Sequence, residues 1–270
     1  MNQKLISLDL DGTTLNSASQ ISENTKRTLQ KAAAAGHIVS IVTGRSDRMA
    51  VNYYDELGLT TPMINFNGAL GHLPHQDWDE AYEITFQKEI VLDILKSKAS
   101  LGIELIAAEG RGLKLTDSTD SAISPFFPAA SRSQEVLNRL NLTQDPSAIT
   151  MLVDPAKKAE ITRRLQQEYD SAVTVSVWGG AAPVLELSPK NVTKKVGLKF
   201  LANHYHIDRQ DILAFGDEQN DIEMLKYAGT GIAMQNASPW IKDVANGVTA
   251  LDNDHDGIAQ YLTEHLDLAE

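Results

Sequence analysis

The 270-residue sequence contains no cysteine and no long apolar run. Disulfide bonds, thiolate catalysis and thiolate metal sites are therefore excluded. No stretch approaches the roughly 20 apolar residues that a membrane-spanning helix needs. The apolar run near the N-terminus is short and contains Asp9 and Asp11, which is not typical of a signal peptide. We therefore expect a cytoplasmic protein with no membrane partner.

Basic residues are scarce relative to acidic ones. The chain has 24 Lys and Arg against 36 Asp and Glu, which gives a net charge of −12. Binding nucleic acid without regard to sequence requires clustered Lys and Arg to neutralise phosphates. We therefore expect no nucleic-acid partner, and the acidic charge is typical of a well-solvated surface.

The first quarter and the last third of the chain alternate short apolar runs with helical patterns. Strands are predicted over residues 5–10, 37–42, 62–66, 211–215 and 230–233. Helical patterns that begin at capping residues such as Ser22 and Ser46 lie between them. Strands that alternate with helices are typical of a parallel sheet covered by helices. The sequence thus predicts an α/β fold with a Rossmann-like parallel-sheet core and helices on both faces.

The middle of the chain has a different pattern. A helix at 89–101 is followed by predicted strands at 103–108, 113–116, 149–153, 172–177 and 184–187, with Gly-rich turns that suit hairpins. This pattern is typical of an α+β domain inserted into the first one. We therefore predict a core formed by residues 1–82 and 188–270, and an inserted cap domain over residues 83–187.

Polar residues follow the predicted core strands at their carboxyl ends, where open α/β sheets bind ligands. The first strand leads into Asp9, Leu10, Asp11, Gly12 and Thr13, the second into Thr43 and Gly44, and a later one into Gly216, Asp217, Glu218, Gln219, Asn220 and Asp221. Lys194 lies at the start of the helix before that later strand. We expect these groups to converge at one edge of the sheet.

This set of side chains suits phosphoryl chemistry. Carboxylates are the ligands that Mg²⁺ prefers, usually together with phosphate oxygens of the substrate. Lys194, a threonine and the backbone N–H groups near Gly12 and Gly44 suit a phosphate dianion. One aspartate can attack phosphorus, and a second, two residues on, can protonate the leaving alcohol and then deprotonate water.

The four groups resemble the four motifs of the haloacid dehalogenase superfamily of phosphatases. The motifs are Asp9-x-Asp11-Gly12-Thr13, Thr43-Gly44, Lys194, and Gly216-Asp217-x-x-Asn220-Asp221. Their order and spacing, with 149 residues between Gly44 and Lys194, are similar to those of the Cof-type branch, in which an α/β cap is inserted between the second and third motifs. Asn67-Gly68-Ala69 before the insertion and the run from Ser188 to Lys194 after it agree with this resemblance.

The resemblance implies a role for each matching residue. Asp9 would be the nucleophile and Asp11 the general acid and base, with Thr43 and Lys194 as the other catalytic residues. The phosphoryl group would be bound by Leu10, Thr43, Gly44, Lys194 and Asn220. Mg²⁺ would be held by Asp9, the backbone carbonyl of Asp11, Asp217 and, directly or through water, Asp221. Lys195 stands where the family often has glycine, so either lysine could reach the phosphate, and the register favours Lys194.

The implied activity is the Mg²⁺-dependent hydrolysis of a small phosphomonoester through an aspartyl-phosphate intermediate. Sugar phosphates are the leading substrate class, followed by nucleotides, flavin mononucleotide and pyridoxal phosphate. A phosphomutase or phosphotransferase on the same scaffold is one alternative. A non-catalytic sensor of phosphorylated metabolites is another, although a sensor has no need for a general acid.

Three other features have simpler interpretations. Asp252-x-Asp254-x-Asp256-Gly257 imitates the start of an EF-hand loop, but the twelfth position is Thr263 instead of Glu. We expect this run to support the N-terminus of the last helix. The histidine pairs 72/75 and 204/206 lack a third ligand cluster and are interpreted as surface or loop residues. Arg45 and Arg48 are interpreted as a solvated helix face, with an active-site role for Arg45 as the alternative.

Overall fold

The computed structural model describes residues 2–119, 126–178, 183–266 and 268. The chain divides into two compact units, one formed by Met1–Tyr82 with Thr193–Glu270 and the other by Glu83–Val192. Within the described part of the chain, no helix is both long enough and apolar enough to cross a membrane.

Helices and strands alternate through most of the chain. In order they are β1 (Leu5–Leu8), α1 (Glu23–Ala34), β2 (Ile38–Ile41), α2 (Asp47–Leu57), β3 (Met63–Asn65), β4 (Leu70–His72), β5 (Tyr82–Glu83), α3 (Lys88–Leu101), β6 (Ile103–Gly110), β7 (Leu113–Thr116), β8 (Ala148–Val153), α4 (Lys158–Tyr169), β9 (Val173–Val177), β10 (Val184–Pro189), α5 (Lys194–His204), β11 (Ile212–Gly216), α6 (Ile222–Tyr227), β12 (Thr230–Ala233), α7 (Pro239–Lys242), β13 (Gly247–Val248) and α8 (Gly257–His265).

The first unit is built on a parallel sheet with the strand order β13-β12-β11-β1-β2. The central strand β1 is buried along its whole length, and its neighbours are β11 and β2. Ile6 and Leu8 pack into one apolar cluster and Leu5 into another, so both faces of the strand are covered. A continuous apolar run is what such a doubly covered parallel strand requires. The predicted parallel-sheet core is confirmed.

Of the two predicted capping residues, Ser22 forms a side-chain cap, whereas Ser46 directly precedes α2 without forming one. Ser22 precedes α1, and its Oγ accepts a hydrogen bond from the N–H of Thr25. The acidic run that imitates an EF-hand lies beside this same helix start. Asp256 directly precedes α8, but its carboxylate accepts hydrogen bonds from Ser22, Asn24 and Thr25. The sequence predicted that this acidic run supports the start of the last helix. In the structure, the side chain of Asp256 also stabilises the start of α1.

The second unit is built on an antiparallel sheet with the strand order β7-β6-β8-β10-β9. Side chains of α3 and α4 share one apolar cluster with one face of this sheet. The strand β10 continues to Pro189, which pairs with Val173 of β9. The unit therefore ends at Val192, whereas the sequence placed the boundary after Leu187. An antiparallel sheet with helices, inserted into a parallel-sheet core, agrees with the predicted fold class.

Candidate active site

Asp9 lies directly after β1, at the carboxyl end of the central strand. Its N–H donates to the carbonyl of Phe215 in β11 (3.2 Å), which continues the parallel ladder by one residue. Its own carbonyl accepts from Thr14 Oγ1 at 2.5 Å, across the tight turn that follows. The residue is 5% exposed. The backbone of Asp9 is therefore fixed on both sides, and its carboxylate is withdrawn from bulk water.

The ammonium group of Lys194 is the cation that balances Asp9. Lys194 is the first residue of α5, is 0% exposed, and places Nζ 2.6 Å from Asp9 Oδ1 and 2.7 Å from Asp221 Oδ1. Burial alone would lower the pKa of Lys194, but the carboxylates of Asp221 and Asp9 outweigh it and hold that pKa above its usual value. The adjacent Lys195 pairs with Glu223 instead, at 3.0 Å. The structure thus places Lys194, and not Lys195, in the site.

Asp221 is bonded through both of its carboxylate oxygens. Oδ1 accepts from Lys194, and Oδ2 accepts from the N–H groups of Asp217 and Glu218, each at 3.0 Å. Gly216 makes this packing possible, because a Cβ at that position would lie 2.5 Å from the Cβ of Asp221. Asp221 therefore anchors both the lysine and the turn after β11.

Asp217 lies in that turn, facing the loop that follows β1. Its Oδ1 accepts from Thr13 Oγ1 at 2.6 Å. Gly12 has a φ of +69°, and a Cβ there would lie 2.2 Å from Asp217 Oδ2, so the turn requires glycine. Burial, together with the negative charge of Asp221 and against the hydrogen bond from Thr13, raises the pKa of Asp217 to about 7. The positive charge around Asp217 is thus too small to stabilise its ionised carboxylate fully.

Asp9, Asp217 and Asp221 together form a candidate metal centre. Each offers one carboxylate oxygen, and these oxygens lie within 4.8 Å of one another. Burial, reinforced by Asp221, also raises the pKa of Asp9 well above its usual value, although Lys194 opposes the shift. Three buried carboxylates with one lysine leave an excess of negative charge, and all their donor atoms are hard oxygens. This donor set fits a small divalent cation such as Mg²⁺.

Asp11 lies on the opposite, open side of the site. Its side chain is 58% exposed and accepts two hydrogen bonds from Arg45, from Nε at 2.8 Å and from a terminal nitrogen at 2.6 Å. The guanidinium group also lies 5.2 Å from the ring centre of Tyr53. Arg45 is therefore part of the site, which agrees with the alternative interpretation and not with a solvated face.

The phosphate-binding residues predicted after β2 lie together with Asn67. The carbonyl of Thr43 accepts from the N–H of Asn67 (3.1 Å), and Thr43 Oγ1 accepts from the N–H of Arg45 (3.1 Å). Asn220 donates from Nδ2 to Asn67 Oδ1 (2.9 Å). A Cβ on Gly44 would lie 3.0 Å from Asn67 Oδ1, so Gly44 leaves room for that side chain.

Asn67 is a site residue that the motif assignment did not place. It adopts a left-handed backbone conformation with a φ of +54°, which asparagine tolerates better than most residues. The dipeptide Asn67-Gly68 is a turn signal that could have indicated this conformation. Leu10, which was predicted to bind phosphate, has a fully buried side chain, so only its backbone can contact a ligand.

The histidine pairs lie apart from this site. His72 contacts Asn65, His75 contacts Asp55, and His204 contacts Glu80. These bonds therefore do not bring two histidines to the same partner. These contacts agree with the interpretation as surface or loop histidines.

Comparisons with known proteins agree with this geometry. Residues 6–262 match the family profile described as haloacid dehalogenase-like hydrolase. The chain is 34% identical over 265 residues to 5-amino-6-(5-phospho-D-ribitylamino)uracil phosphatase YitU of Bacillus subtilis, which covers 98% of each chain. It is 30% identical to phosphatase YwpJ of the same organism, over 97% of this chain and 99% of the relative.

A solved structure shares the whole fold. The haloacid dehalogenase-like hydrolase of Bacteroides thetaiotaomicron superposes with a TM-score of 0.82 at 24% identity, over 97% of this chain and 99% of that one. Residues 6–262, which the family profile matches, extend over both units and include every residue of the candidate site. The chain therefore belongs to the haloacid dehalogenase-like hydrolase family, as a phosphoric monoester hydrolase of its Cof-type branch.

Proposed function

We propose that this phosphatase hydrolyses small phosphomonoesters, with sugar phosphates as the leading substrate class, through an aspartyl-phosphate intermediate and with Mg²⁺. One observation carries the proposal. Asp9 is buried and held by Lys194, whereas Asp11, two residues on, is exposed and paired with Arg45. One carboxylate is thus fixed for attack, while the other is free to exchange partners and protons.

In the first step, a carboxylate oxygen of Asp9 attacks phosphorus. The bond between phosphorus and the ester oxygen breaks, and Asp11 donates a proton to the departing alkoxide, which leaves as an alcohol. In the second step, Asp11 takes a proton from water, and the resulting hydroxide attacks the phosphorus of the aspartyl phosphate. Inorganic phosphate leaves and the carboxylate of Asp9 is restored.

Asp11 has to leave Arg45 for this role. Both of its carboxylate oxygens accept hydrogen bonds from Arg45, so neither is directed at a leaving alcohol. The exposure of its side chain leaves room for it to turn towards a substrate. We infer that Arg45 holds Asp11 between turnovers and releases it when a substrate phosphate enters.

The other predicted residues bind the transferring group. Lys194 offers a charged donor beside Asp9, and the N–H groups of Leu10 and Gly44 and the amide of Asn220 offer neutral ones. Thr43 positions Arg45 and Asn67 through the hydrogen bonds described above. Positioning and charge neutralisation of this kind are the main requirements of phosphoryl transfer.

Mg²⁺ fits the carboxylate group next to these donors. Asp9 and Asp217 would hold it directly, with the backbone carbonyl of Asp11 as a further predicted ligand. Both oxygens of Asp221 are already bonded, which favours the indirect role among the two that were predicted for it. When bound, the ion would neutralise part of the charge on these carboxylates and on the phosphoryl oxygens.

The unit Glu83–Val192 is proposed to select the substrate. The name of one relative favours a hydroxyl-rich alcohol. The name of the relative YitU gives it a phosphorylated ribitylamino compound as substrate, and this compound carries its phosphate on a sugar alcohol chain. Nucleotides, flavin mononucleotide and pyridoxal phosphate are the other metabolites to be tested.

The test is the release of inorganic phosphate from a metabolite panel by the parent protein and by Asp9→Asn. We expect release that requires Mg²⁺ and stops in chelator. Asn has nearly the same shape but cannot form the acyl phosphate, so turnover should fall by about 10³-fold or more with the fold retained. Full activity in chelator would overturn the metal requirement, and near-normal turnover by Asp9→Asn would overturn the nucleophile.

The same panel separates the alternatives. A phosphomutase or phosphotransferase would move phosphate to a second sugar without releasing it, and a sensor would bind esters without consuming them.

A further inference from the structure

The loop that joins β1 to α1 is held by side chains from a distant part of the chain. This loop, residues 9–22, carries both Asp9 and Asp11. The residues that contact it lie between β12 and α8 in the first unit, and the contacts join residues 224 to 238 positions apart. Hydrogen bonds of this kind fix the loop relative to the rest of the unit and not only to itself.

Asn236 bonds to the part of the loop that lies next to Asp11. Its Nδ2 donates to the carbonyl of Gly12 at 2.7 Å, and its Oδ1 accepts from the N–H of Asn253 at 3.2 Å. Both ends of the amide group are therefore bonded, although the residue is exposed. Gly12 has a φ of +69°, so the backbone turns sharply at the bonded residue. Asn236 thus fixes the carbonyl of the residue directly after the proposed general acid and base.

Two further side chains hold the next part of the loop. Asn253 donates from Nδ2 to the carbonyl of Leu15 at 2.8 Å. The carboxylate of Asp254 accepts from the N–H and from the hydroxyl of Ser17, at 2.7 Å and 2.6 Å. Together with the bond from Asn236, these contacts restrain the loop at short intervals. We call Asn236, Asn253 and Asp254 the loop clamp.

The acidic run that imitates an EF-hand loop builds part of this clamp. Asp252 accepts from the N–H of Asp254 at 3.1 Å and contacts His255 Nδ1 at 2.6 Å, which closes a short turn. Gly257 ends the run, and a Cβ there would lie 2.2 Å from a backbone oxygen. Both oxygens of Asp254 are bonded to the loop, and both oxygens of Asp256 to the start of α1. The run thus accepts hydrogen bonds from protein N–H and O–H groups.

The same loop is bonded to the carboxylates of the candidate active site. Thr13 Oγ1 donates to Asp217, and Thr14 Oγ1 donates to the carbonyl of Asp9. A few residues of backbone therefore connect the clamp to the groups proposed to react. A displacement of about 1 Å at such groups can lower turnover by about 10²-fold. The position of Asp11 accordingly depends on contacts that lie outside the four sequence motifs.

We propose that Asn236 is a positioning residue for the hydrolysis, which acts by holding the carbonyl of Gly12 and, through it, the backbone of Asp11. This assignment rests on the proposed function, in which Asp11 exchanges protons with the leaving alcohol and with water. It adds that the side chain of Asp11 turns between Arg45 and the substrate while its backbone stays fixed. Loss of the contact should therefore lower turnover without weakening the binding of the phosphate ester.

The experiment compares Asn236→Ala and Asn236→Asp with the parent protein. Asn236→Asp keeps the shape of the side chain but places an oxygen where the amide donates to Gly12. Asn246→Ala is the matched control, because Asn246 is also exposed and its Oδ1 accepts from the backbone N–H of Gly231 at 2.9 Å in the same unit. Phosphate release from phenyl phosphate in Mg²⁺ gives kcat and KM, and thermal unfolding shows whether each variant is folded.

We expect both Asn236 variants to lower kcat by about tenfold, with KM changed by less than about twofold, because the lost contact acts on the reacting groups and not on substrate binding. Asn246→Ala should leave both constants unchanged. An unchanged kcat in folded Asn236 variants would overturn the positioning role. A loss confined to KM, or an equal loss of kcat in Asn246→Ala, would overturn it as well.

Hydrogen–deuterium exchange provides a readout that does not depend on turnover. Peptides that cover residues 10–17 should exchange several-fold faster in Asn236→Ala than in the parent protein, and at the parent rate in Asn246→Ala. Faster exchange with an unchanged kcat would overturn the positioning role.

The two readouts also separate this role from the hydrolysis itself. If the parent protein releases no phosphate from any ester but the exchange of the loop depends on Asn236, the proposed hydrolysis fails and the hold of the clamp on the loop stands. If phosphate is released and neither exchange nor kcat responds to Asn236, the hydrolysis stands and the positioning role is overturned.

Discussion

The candidate active site has a buried side and an open side that hold their carboxylates in different ways. On the buried side, Asp9 and Asp221 share the fully buried Lys194, and Asp217 is bonded to Thr13. On the open side, Asp11 pairs with Arg45, and more than half of its own side chain is in contact with solvent.

The difference suits the two chemical tasks that we propose for Asp9 and Asp11. A nucleophile has to stay within reach of phosphorus at a fixed angle, and the buried side supplies several restraints on that position. A general acid and base has to exchange protons with an alcohol and with water, which requires access and alternative partners. Burial thus distinguishes two identical side chains: Asp9 is enclosed with a buried partner, and Asp11 is open to solvent.

The largest expected effect concerns the buried cation. Lys194→Met leaves Asp9 and Asp221 buried without their partner, so we expect a loss of about 3–5 kcal/mol in the free energy of unfolding. Lys195→Met is the matched control, because it breaks only the partly exposed pair with Glu223, and should cost about 1 kcal/mol or less. Urea-induced unfolding in the presence of chelator measures both. Equal losses would remove the distinction between the two lysines.

A smaller effect of opposite sign is expected at Asp217. Its pKa in the folded protein is about 7, against 3.8 for an unperturbed aspartate, so the folded state binds more protons than the unfolded one between about pH 4 and pH 7. In metal-free protein, this group therefore lowers stability as the pH rises through that range. Asp217→Asn removes the penalty and should raise the melting temperature in chelator at pH 8 by a few degrees, since about 1 kcal/mol corresponds to roughly 2–4 °C.

Two controls accompany this measurement. The advantage of Asp217→Asn should shrink at pH 4.5, where the carboxyl group of the parent protein is largely protonated. Mg²⁺ should raise the melting temperature of the parent protein more than that of the variant. A variant that melts below the parent protein at pH 8 in chelator would contradict the idea that this carboxylate lacks positive charge.

The open side should show the smallest change in stability. Arg45→Lys keeps the charge but loses the two-pronged contact with Asp11, so we expect kcat to fall about tenfold while the free energy of unfolding changes by about 1 kcal/mol or less. Arg48→Lys, one helical turn further on, should leave kcat unchanged. Phosphate release and urea-induced unfolding give the two values. If Arg45→Lys proved as destabilising as Lys194→Met, the open side would be as rigid as the buried one.

Much of this site could be predicted from the sequence because its residues follow strand ends. Apolar runs give the strands, the parallel arrangement places their carboxyl ends at one edge, and Asp9, Thr43 and Asp217 follow directly. The position of Lys194 at the first turn of α5 follows from its register beside Thr193. The same reasoning gave the antiparallel insertion, since its strand and hairpin signals are local.

The contacts between distant side chains could not be predicted in this way. The pairing of Arg45 with Asp11 depends on the rotamer of a long side chain, and helical spacing with Arg48 suggested a solvated face just as well. The bond between Asn220 and Asn67 joins parts of the chain that lie on either side of the insertion. The strand β10 extends to Pro189 because that residue pairs with β9. Proline is disfavoured within sheets, so residue preferences do not predict this extension.

The position of β1 has a consequence for how the protein is made. This strand is synthesised first, yet one of its two neighbours, β11, lies beyond the entire second unit in the chain. Until the ribosome has released that later segment, one edge of β1 lacks its native partner, and Asp9 has neither Lys194 nor the turn at Asp217 beside it. The second unit, whose sheet is formed from consecutive residues, can fold in the meantime. A truncated nascent chain would therefore hold a folded inserted domain and no catalytic centre, so the activity appears only with the last third of the protein.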